Sequence, residues 1–307
     1  MNSRLFIIGN GFDKAHSLPT GYIDFKEYLI NKYPDADANN CTFSPEPDFL
    51  PDGGEHYNDT EVISFLLKII ENAEPNGDGW AKLEESMGNL NLSWFLYDFN
   101  KPYDNEWHEV YRNQDLSLNL AGAVLLLPYY FDVWIQSIDI SQVIPLQKFY
   151  NLINPVSDLF FTFNYTNTLQ SIYVAKNVLH IHGKQGEQLI FGHGNNSDIF
   201  DYYQNNYIGS ENNINRMHLS LRKDTNAQIS KHINYFEALP KTIREIYSFG
   251  FSFSEVDMIY IKEICENLTT ENMTWYLHSY NSKEERSSFS KAIQSCGYMG
   301  RFSEYEI

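Results

Sequence analysis

Leu5-Phe6-Ile7-Ile8 is an unbroken apolar run that ends on Gly9-Asn10-Gly11. A strand apolar at consecutive positions is buried on both faces, and that is the habit of a parallel sheet covered by helices. The form recurs. Leu159 to Phe163, Val178 to Ile181, Gln188 to Phe191, Glu245 to Phe249 and Met273 to Leu277 read as further short strands. Helical spacings lie between them: Tyr22, Phe25, Tyr28 and Leu29; Val62, Phe65, Leu66 and Ile69; Ile261, Ile264, Cys265 and Leu268; Phe289, Ala292, Ile293 and Cys296. Strands alternating with helices predict an α/β fold, Rossmann-like, with a mostly parallel sheet and helices on both faces.

The pattern is interrupted once. Residues 34–60 carry Pro34, Pro45, Pro47, Pro51 and Gly53-Gly54 and read as a long surface loop. From Trp80 to Tyr150 the spacing is helical, broken at Pro102, Pro128 and Pro145. The expected organisation is a core of residues 1–54 and 151–307 with a helical insertion, 55–150, inside the same domain. Ser254 with Asp257, and Ser282 with Glu285, have the spacing of capping boxes, and Gly297 marks a helix stop.

Composition narrows the function classes. The net charge of −18 repels phosphate backbones, and no Lys/Arg cluster offers a local exception, so nucleic acid is not the expected partner. Three widely spaced cysteines, with no C-x-x-C, indicate a reducing compartment and no zinc ribbon. The opening run is too short for a signal peptide, and Ala121 to Ile135 is too short to span a bilayer. The expectation is a cytoplasmic protein with no membrane partner and no metal.

Four loops follow four of the strands: Gly9-Asn10-Gly11, Asn164-Tyr165-Thr166-Asn167, His182-Gly183 and Gly250-Phe251-Ser252. Ligands in open α/β sheets sit outside the carboxyl ends of the strands, so these loops should share one cleft. Gly9 and Gly11 supply two positions of the dinucleotide fingerprint G-x-G-x-x-G, but Lys14 occupies the third. Asn167 with Gln170, or Thr166, can alternatively cap a helix; Ser254 and Asp257 can do the same. His182, at a strand end beside glycine, is the candidate general base, because imidazole titrates near neutrality. His180, His182 and His193 together allow a metal-dependent hydrolase as an alternative. Trp80, Glu84 and Glu85 fall on a helix, and the two carboxylates read as a solvated face.

These residues resemble known patterns. Gly9-Asn10-Gly11-Phe12-Asp13 followed by His16-Ser17-Leu18-Pro19 is similar to the sirtuin opening G-A-G-I-S-x-x-S-G-I-P, element for element. Phe163-Asn164-Tyr165-Thr166, His182-Gly183 and Phe249-Gly250-Phe251-Ser252 with Asp257 are similar to later sirtuin-like segments. The opening run from Ile7 to Phe25, with Thr162-Phe163-Asn164-Tyr165-Thr166-Asn167, His180-Ile181-His182-Gly183 and Phe191-Gly192-His193-Gly194, resembles the AbiH family of phage abortive-infection proteins.

That resemblance implies a domain that binds NAD and hydrolyses its nicotinamide–ribose bond to arrest an infected cell. It implies catalytic roles for Asn164, at the ribose or water, and His182, the base. Gly9, Asn10, Gly11 and Phe12 would line the pyrophosphate and ribose, with Gly250 and Ser252 opposite. Asp13, Thr166, Asn167, Gly183 and Asp257 complete the expected cofactor-binding set. Thr166 stands where sirtuins carry an acid, and Asp13 where they carry a serine. A non-catalytic module sensing NAD or ADP-ribose is the second implied function. The expected partners are a small-molecule nucleotide and, beyond it, a second copy of the chain or a defence protein.

Overall fold

The computed structural model describes residues 4–39, 41, 44–74, 77, 80–97 and 106–307. Pro102, one of the predicted helix breaks, lies outside them. The chain forms two compact units. The first comprises Met1–Thr20, Ile135–Ile190 and Asp224–Ile307; the second comprises Gly21–Trp134 and Phe191–Lys223. These boundaries fall elsewhere than 54/55 and 150/151. Residues 21–54 and 191–223 group with the helical segment.

The first unit is built on six parallel strands: β1 Leu5–Ile8, β2 Leu159–Thr162, β3 Asn177–His180, β4 Glu245–Phe249, β5 Thr274–His278 and β6 Arg301–Tyr305. Their spatial order is β3-β2-β1-β4-β5-β6. That is the order of the doubly wound dinucleotide-binding fold, with its switch point between β1 and β4. The α/β reading therefore holds. Successive β1 residues serve opposite faces, as strand periodicity requires. Leu5 and Ile7 join Phe161, Ile246, Trp275 and the helix Met258–Glu266 on one side. Phe6 and Ile8 join Phe12, Phe149, Phe160, Leu169 and Tyr173 on the other.

The second face carries a ladder of rings. Phe160, Phe6, Tyr247 and Tyr276, one per strand, stack with centroid separations of 5.3, 5.0 and 4.4 Å. Such cross-strand aromatic pairs hold register, because a one-residue slip would turn every ring to the other face. Below the ladder, buried Asp158 takes the Arg4 guanidinium at 2.7 Å and the Arg4 backbone N–H at 3.2 Å, fixing where β1 begins.

Three sequence expectations change. Gln188 to Phe191 forms no strand: Ile190 gives its N–H to the His182 carbonyl and takes the Tyr165 hydroxyl on its own carbonyl. It meets a turn instead of a sheet neighbour. Strand β6 was hidden because it is an edge strand, mostly exposed and polar. At Ser254 there is no cap: the hydroxyl donates to the Asp257 carboxylate at 2.9 Å, and the helix is preceded by a 3-10 turn, Glu255–Asp257. The box at Ser282 and Glu285 does form.

The second unit is helical apart from a two-stranded hairpin, Asp48–Phe49 with Glu55–His56, inside the predicted loop 34–60. Its helix Asp59–Ala73 starts on Asn58, whose side chain accepts from Glu61 N–H, and buries Val62, Phe65, Leu66 and Ile69. The Trp80-x-x-x-Glu84 motif corrects the solvated-face reading for Glu84. Its carboxylate takes the Tyr22 hydroxyl and the buried Lys223 ammonium, both at 2.7 Å. Phe191 stacks on Phe131 at 3.9 Å. The stretch Trp107–Ser137 is long and apolar enough to cross a membrane by length and composition alone, and half of its apolar part is buried in the protein, as in a core helix.

At the switch point β1 and β4 meet through glycine. Gly9 N–H donates to the Phe249 carbonyl at 3.0 Å, and Gly11 N–H donates to the Gly250 carbonyl at 2.9 Å. A Cβ on Gly9 would lie 2.5 Å from the Phe251 Cα, and one on Gly250 (φ +66°) would collide with Gly11 and the Phe12 nitrogen. We expect Gly250→Ala to lower the unfolding free energy by about 2–5 kcal/mol, from left-handed strain plus overpacking. Ser252→Ala, two residues on and exposed, should stay within about 0.5 kcal/mol of wild type when both variants are unfolded in urea.

Candidate functional site

Parallel register aligns the carboxyl ends of four strands. Phe249, Ile8, Thr162 and His180 are partners across β4, β1, β2 and β3. The next residues of each strand open the four loops, so the expected convergence at one edge of the sheet is met in the first unit.

The floor of this edge is polar and buried. Asp13, in the short helix Asn10–Ala15, is 1% exposed. Thr166 donates to its Oδ2 at 2.6 Å, and the Thr166 and Thr168 hydroxyls lie 2.9 Å apart. A hydroxyl has one proton, so Thr168 is the donor in that second bond when Thr166 serves Asp13. Burial pushes the Asp13 carboxyl from 3.8 up to about 6, with Thr166, Thr168 and Asn164 pulling back. Asn164 is also buried; its amide is close enough to Asp13 to pull the carboxyl's pKa down, yet neither end of the amide, nor Asp13 Oδ1, completes a well-formed hydrogen bond. Under-bonded polar atoms of this kind are rare and costly, and they cluster where a ligand completes the bonding.

The other half of the edge is an imidazole among rings. His182, 2% exposed, meets Phe163, Tyr260 and Tyr165 with centroids at 5.5, 5.6 and 6.4 Å. Its Nε2 is 3.6 Å from Asp257 Oδ1. Gly183 (φ +80°) turns the chain where a Cβ would strike the Gln188 carbonyl.

Other predicted site residues take different places. The N–H groups of Gly9 and Gly11 are spent on β4, as described above, so the room left by the missing side chains is filled by backbone. Asn10 is exposed and pairs with Thr20, giving its amide to the carbonyl at 2.9 Å and taking the hydroxyl at 2.5 Å. Phe12 is core, packed on His16, Phe149, Tyr173 and Phe249. Asn167 precedes the helix Thr168–Tyr173 without a side-chain cap. Ser252 is exposed.

The histidine triad does not assemble. His180 uses both ring nitrogens, on the Asn164 carbonyl at 2.8 Å and Gln170 at 2.7 Å, and burial drives it down to about 4. His193 uses both of its own within the second unit, on the His218 carbonyl and the Asn195 N–H. No group of three metal-ligating side chains occurs among the described residues. The metal-dependent alternative built on His180, His182 and His193 is therefore withdrawn.

A cleft of about 420 Å³ adjoins the opening motif, lined by Ala15 to Pro19 with Asp139, Gln142, Val143 and Ile144. Ser17 there holds a left-handed φ of +60°, and His16 is fixed by the Phe12 carbonyl and the Tyr173 hydroxyl. Sequence reasoning missed Thr168 and Tyr260 as parts of the site and took Ser254 for a helix start. Only the three-residue spacing of Ser254 and Asp257 carried a signal, and it was read as capping.

The family described as bacteriophage abortive infection AbiH matches residues 5–279. No curated protein and no solved structure matches the chain.

Asp13 makes stability depend on pH in an unusual direction. Its folded pKa lies above the ordinary value, so the protonated form favours folding. That contribution is complete below about pH 3.8 and is lost as pH rises through about 6. Asp13→Asn removes the titration. Its unfolding free energy relative to wild type should rise by roughly 2.5 kcal/mol between pH 4 and pH 8 in denaturant titrations. A flat difference would refute the buried-acid assignment.

Proposed function

This chain belongs to the AbiH family of bacteriophage abortive-infection proteins, and from that premise we propose that it is an anti-phage effector that binds NAD and hydrolyses its nicotinamide–ribose bond. A role in phage abortive infection comes with the membership. The NAD chemistry is our own reading.

The chief support is the under-bonded polar set where the loops after β1 and β2 meet: Asp13 Oδ1 and the Asn164 amide, neither of which completes a well-formed hydrogen bond. A ribose hydroxyl both donates and accepts, so it satisfies a carboxylate oxygen and an amide together. The floor therefore fits a nucleotide through its sugar, with Asp13, Thr166 and Asn164 as the ribose contacts. NAD supplies a C–N bond whose leaving group is a neutral pyridine. In the hydrolysis we propose, a water oxygen bonds to ribose C1. The C–N electron pair leaves with nicotinamide, and His182 takes the water proton. Asn164 orients the sugar. Gly9, Asn10, Gly11, Gly183, Gly250 and Ser252 shape the surrounding loops.

The burial of His182 favours a second reading, in which the same pocket binds NAD or ADP-ribose and signals without turnover. Purified protein incubated with NAD separates the two. Release of free nicotinamide, lowered about a hundred- to ten-thousand-fold in His182→Ala with an unchanged melting temperature, is the expected result. NAD bound tightly but recovered intact would establish the sensing reading instead.

A further inference from the structure

The helix Glu106–Val124 of the second unit turns an apolar face to solvent. Trp107, Tyr111, Leu118 and Leu125 lie along it and Tyr129 follows one turn later, each between 38% and 65% exposed. Leu125, just past the end of the helix, still gives its N–H to the Ala121 carbonyl at 3.0 Å and so keeps the helical phase. At 3.6 residues per turn the first four fall within an arc of about 40°. Single exposed apolar residues are ordinary, but a continuous row of them marks a contact surface. The spacing is also symmetrical. Tyr111 and Leu125 stand seven residues either side of Leu118, and Trp107 and Tyr129 stand eleven. A row that reads the same in both directions is complementary to itself when one copy is turned end for end, which is the condition for a twofold interface.

We propose that this row docks a second copy of the chain, the two helices packing antiparallel about Leu118. Leu118 then meets its counterpart, Tyr111 meets Leu125 of the second copy, and Trp107 meets Tyr129. The seven-residue steps from Tyr111 to Leu118 to Leu125 are those of a coiled-coil seam, which keeps two helices in contact along their length. Charge favours the same occupant. Copies of net charge −18 repel one another and meet most readily where acidic residues are sparse. From Leu116 to Phe131 the sequence has no charged residue. Between Glu106 and Phe131 it has no Lys and one Arg, whereas a helix lying on an anionic lipid surface carries basic residues on its polar face. That Arg, Arg112, gives its guanidinium to the Leu96 carbonyl at 2.6 Å. The five apolar side chains expose roughly 600 Å² per copy, so a pair has about 1,200 Å² to bury, the lower range of a specific interface. None of this rests on the NAD chemistry above.

Light scattering of the full-length protein at micromolar concentration should give twice the chain mass of 35.8 kDa. Leu118→Asp sets two carboxylates against each other on the axis and should raise the dimer dissociation constant about a hundredfold or more, with an unchanged far-UV spectrum. Disulfide trapping with copper phenanthroline reads the geometry. Cys41, Cys265 and Cys296 are buried, so introduced surface thiols report separately. Leu118→Cys should cross-link to itself, and Tyr111→Cys mixed with Leu125→Cys should give the mixed dimer. Tyr111→Cys alone should not cross-link, because its two thiols would lie about 21 Å apart along the helices. A monomer at every concentration reached, a dimer untouched by Leu118→Asp, or self-cross-linking of Tyr111→Cys equal to that of Leu118→Cys overturns the proposal. A monomer that co-sediments with phosphatidylglycerol vesicles overturns it too and assigns the row to a membrane surface. If Leu118→Asp does not fold, the trapping pattern still decides.

Discussion

Everything at the carboxyl edge of the sheet depends on backbone meeting backbone between β1 and β4. The Gly9 and Gly11 N–H groups close onto the Phe249 and Gly250 carbonyls, and the same residues have no room for a Cβ. Two loops far apart in sequence become one surface. In doubly wound sheets the crevice opens where neighbouring crossovers leave to opposite faces. Here the strands on either side of that crevice are joined at their tips. The opening helix Asn10–Ala15 is thereby held with Asp13 turned inward under Thr166.

Asp13 shows what that placement costs. A carboxyl without full solvation prefers its proton, and hydroxyl donors only partly offset the loss. Asn164 adds an amide whose two ends complete no well-formed hydrogen bond and whose contact with Asp13 only partly offsets its burial. A core built for stability alone would fill these positions with apolar side chains, since half-satisfied polar networks are worse than none. The six-strand ladder and its stacked rings bear that local deficit. Desolvated groups persist only where the surrounding structure offsets their cost.

Much of the fold was legible because buried parallel strands are written as contiguous apolar runs. Leu5–Ile8, Leu159–Thr162 and Glu245–Phe249 all follow that rule and form the centre of the sheet. The edge strand Arg301–Tyr305 has no such run, since one side of it faces water. Gln188 to Phe191 has the right composition but meets a turn. The convergence of the loops was legible: the strand ends bring Asn164, Thr166 and His182 to one edge of the sheet, because parallel register alone aligns them. The glycines were read for ligand approach, whereas periodicity cannot say whether the close neighbour is a phosphate or another backbone. Phe12 and His180 looked functional beside true strand ends; helix phase put the first in the core, and two hydrogen bonds hold the second.

The chemistry offered at this edge is also consistent with the charge of the whole chain. Asp13, Asn164, Thr166 and Asp257 present carboxylates, an amide and a hydroxyl, groups suited to sugar hydroxyls. A protein of net charge −18 exerts no long-range attraction on anions; what this edge offers instead is short, directional bonding groups, which count for more where water is excluded. The approach of His182 Nε2 to Asp257 Oδ1 at 3.6 Å brings the loops after β3 and β4 together at the same edge of the sheet.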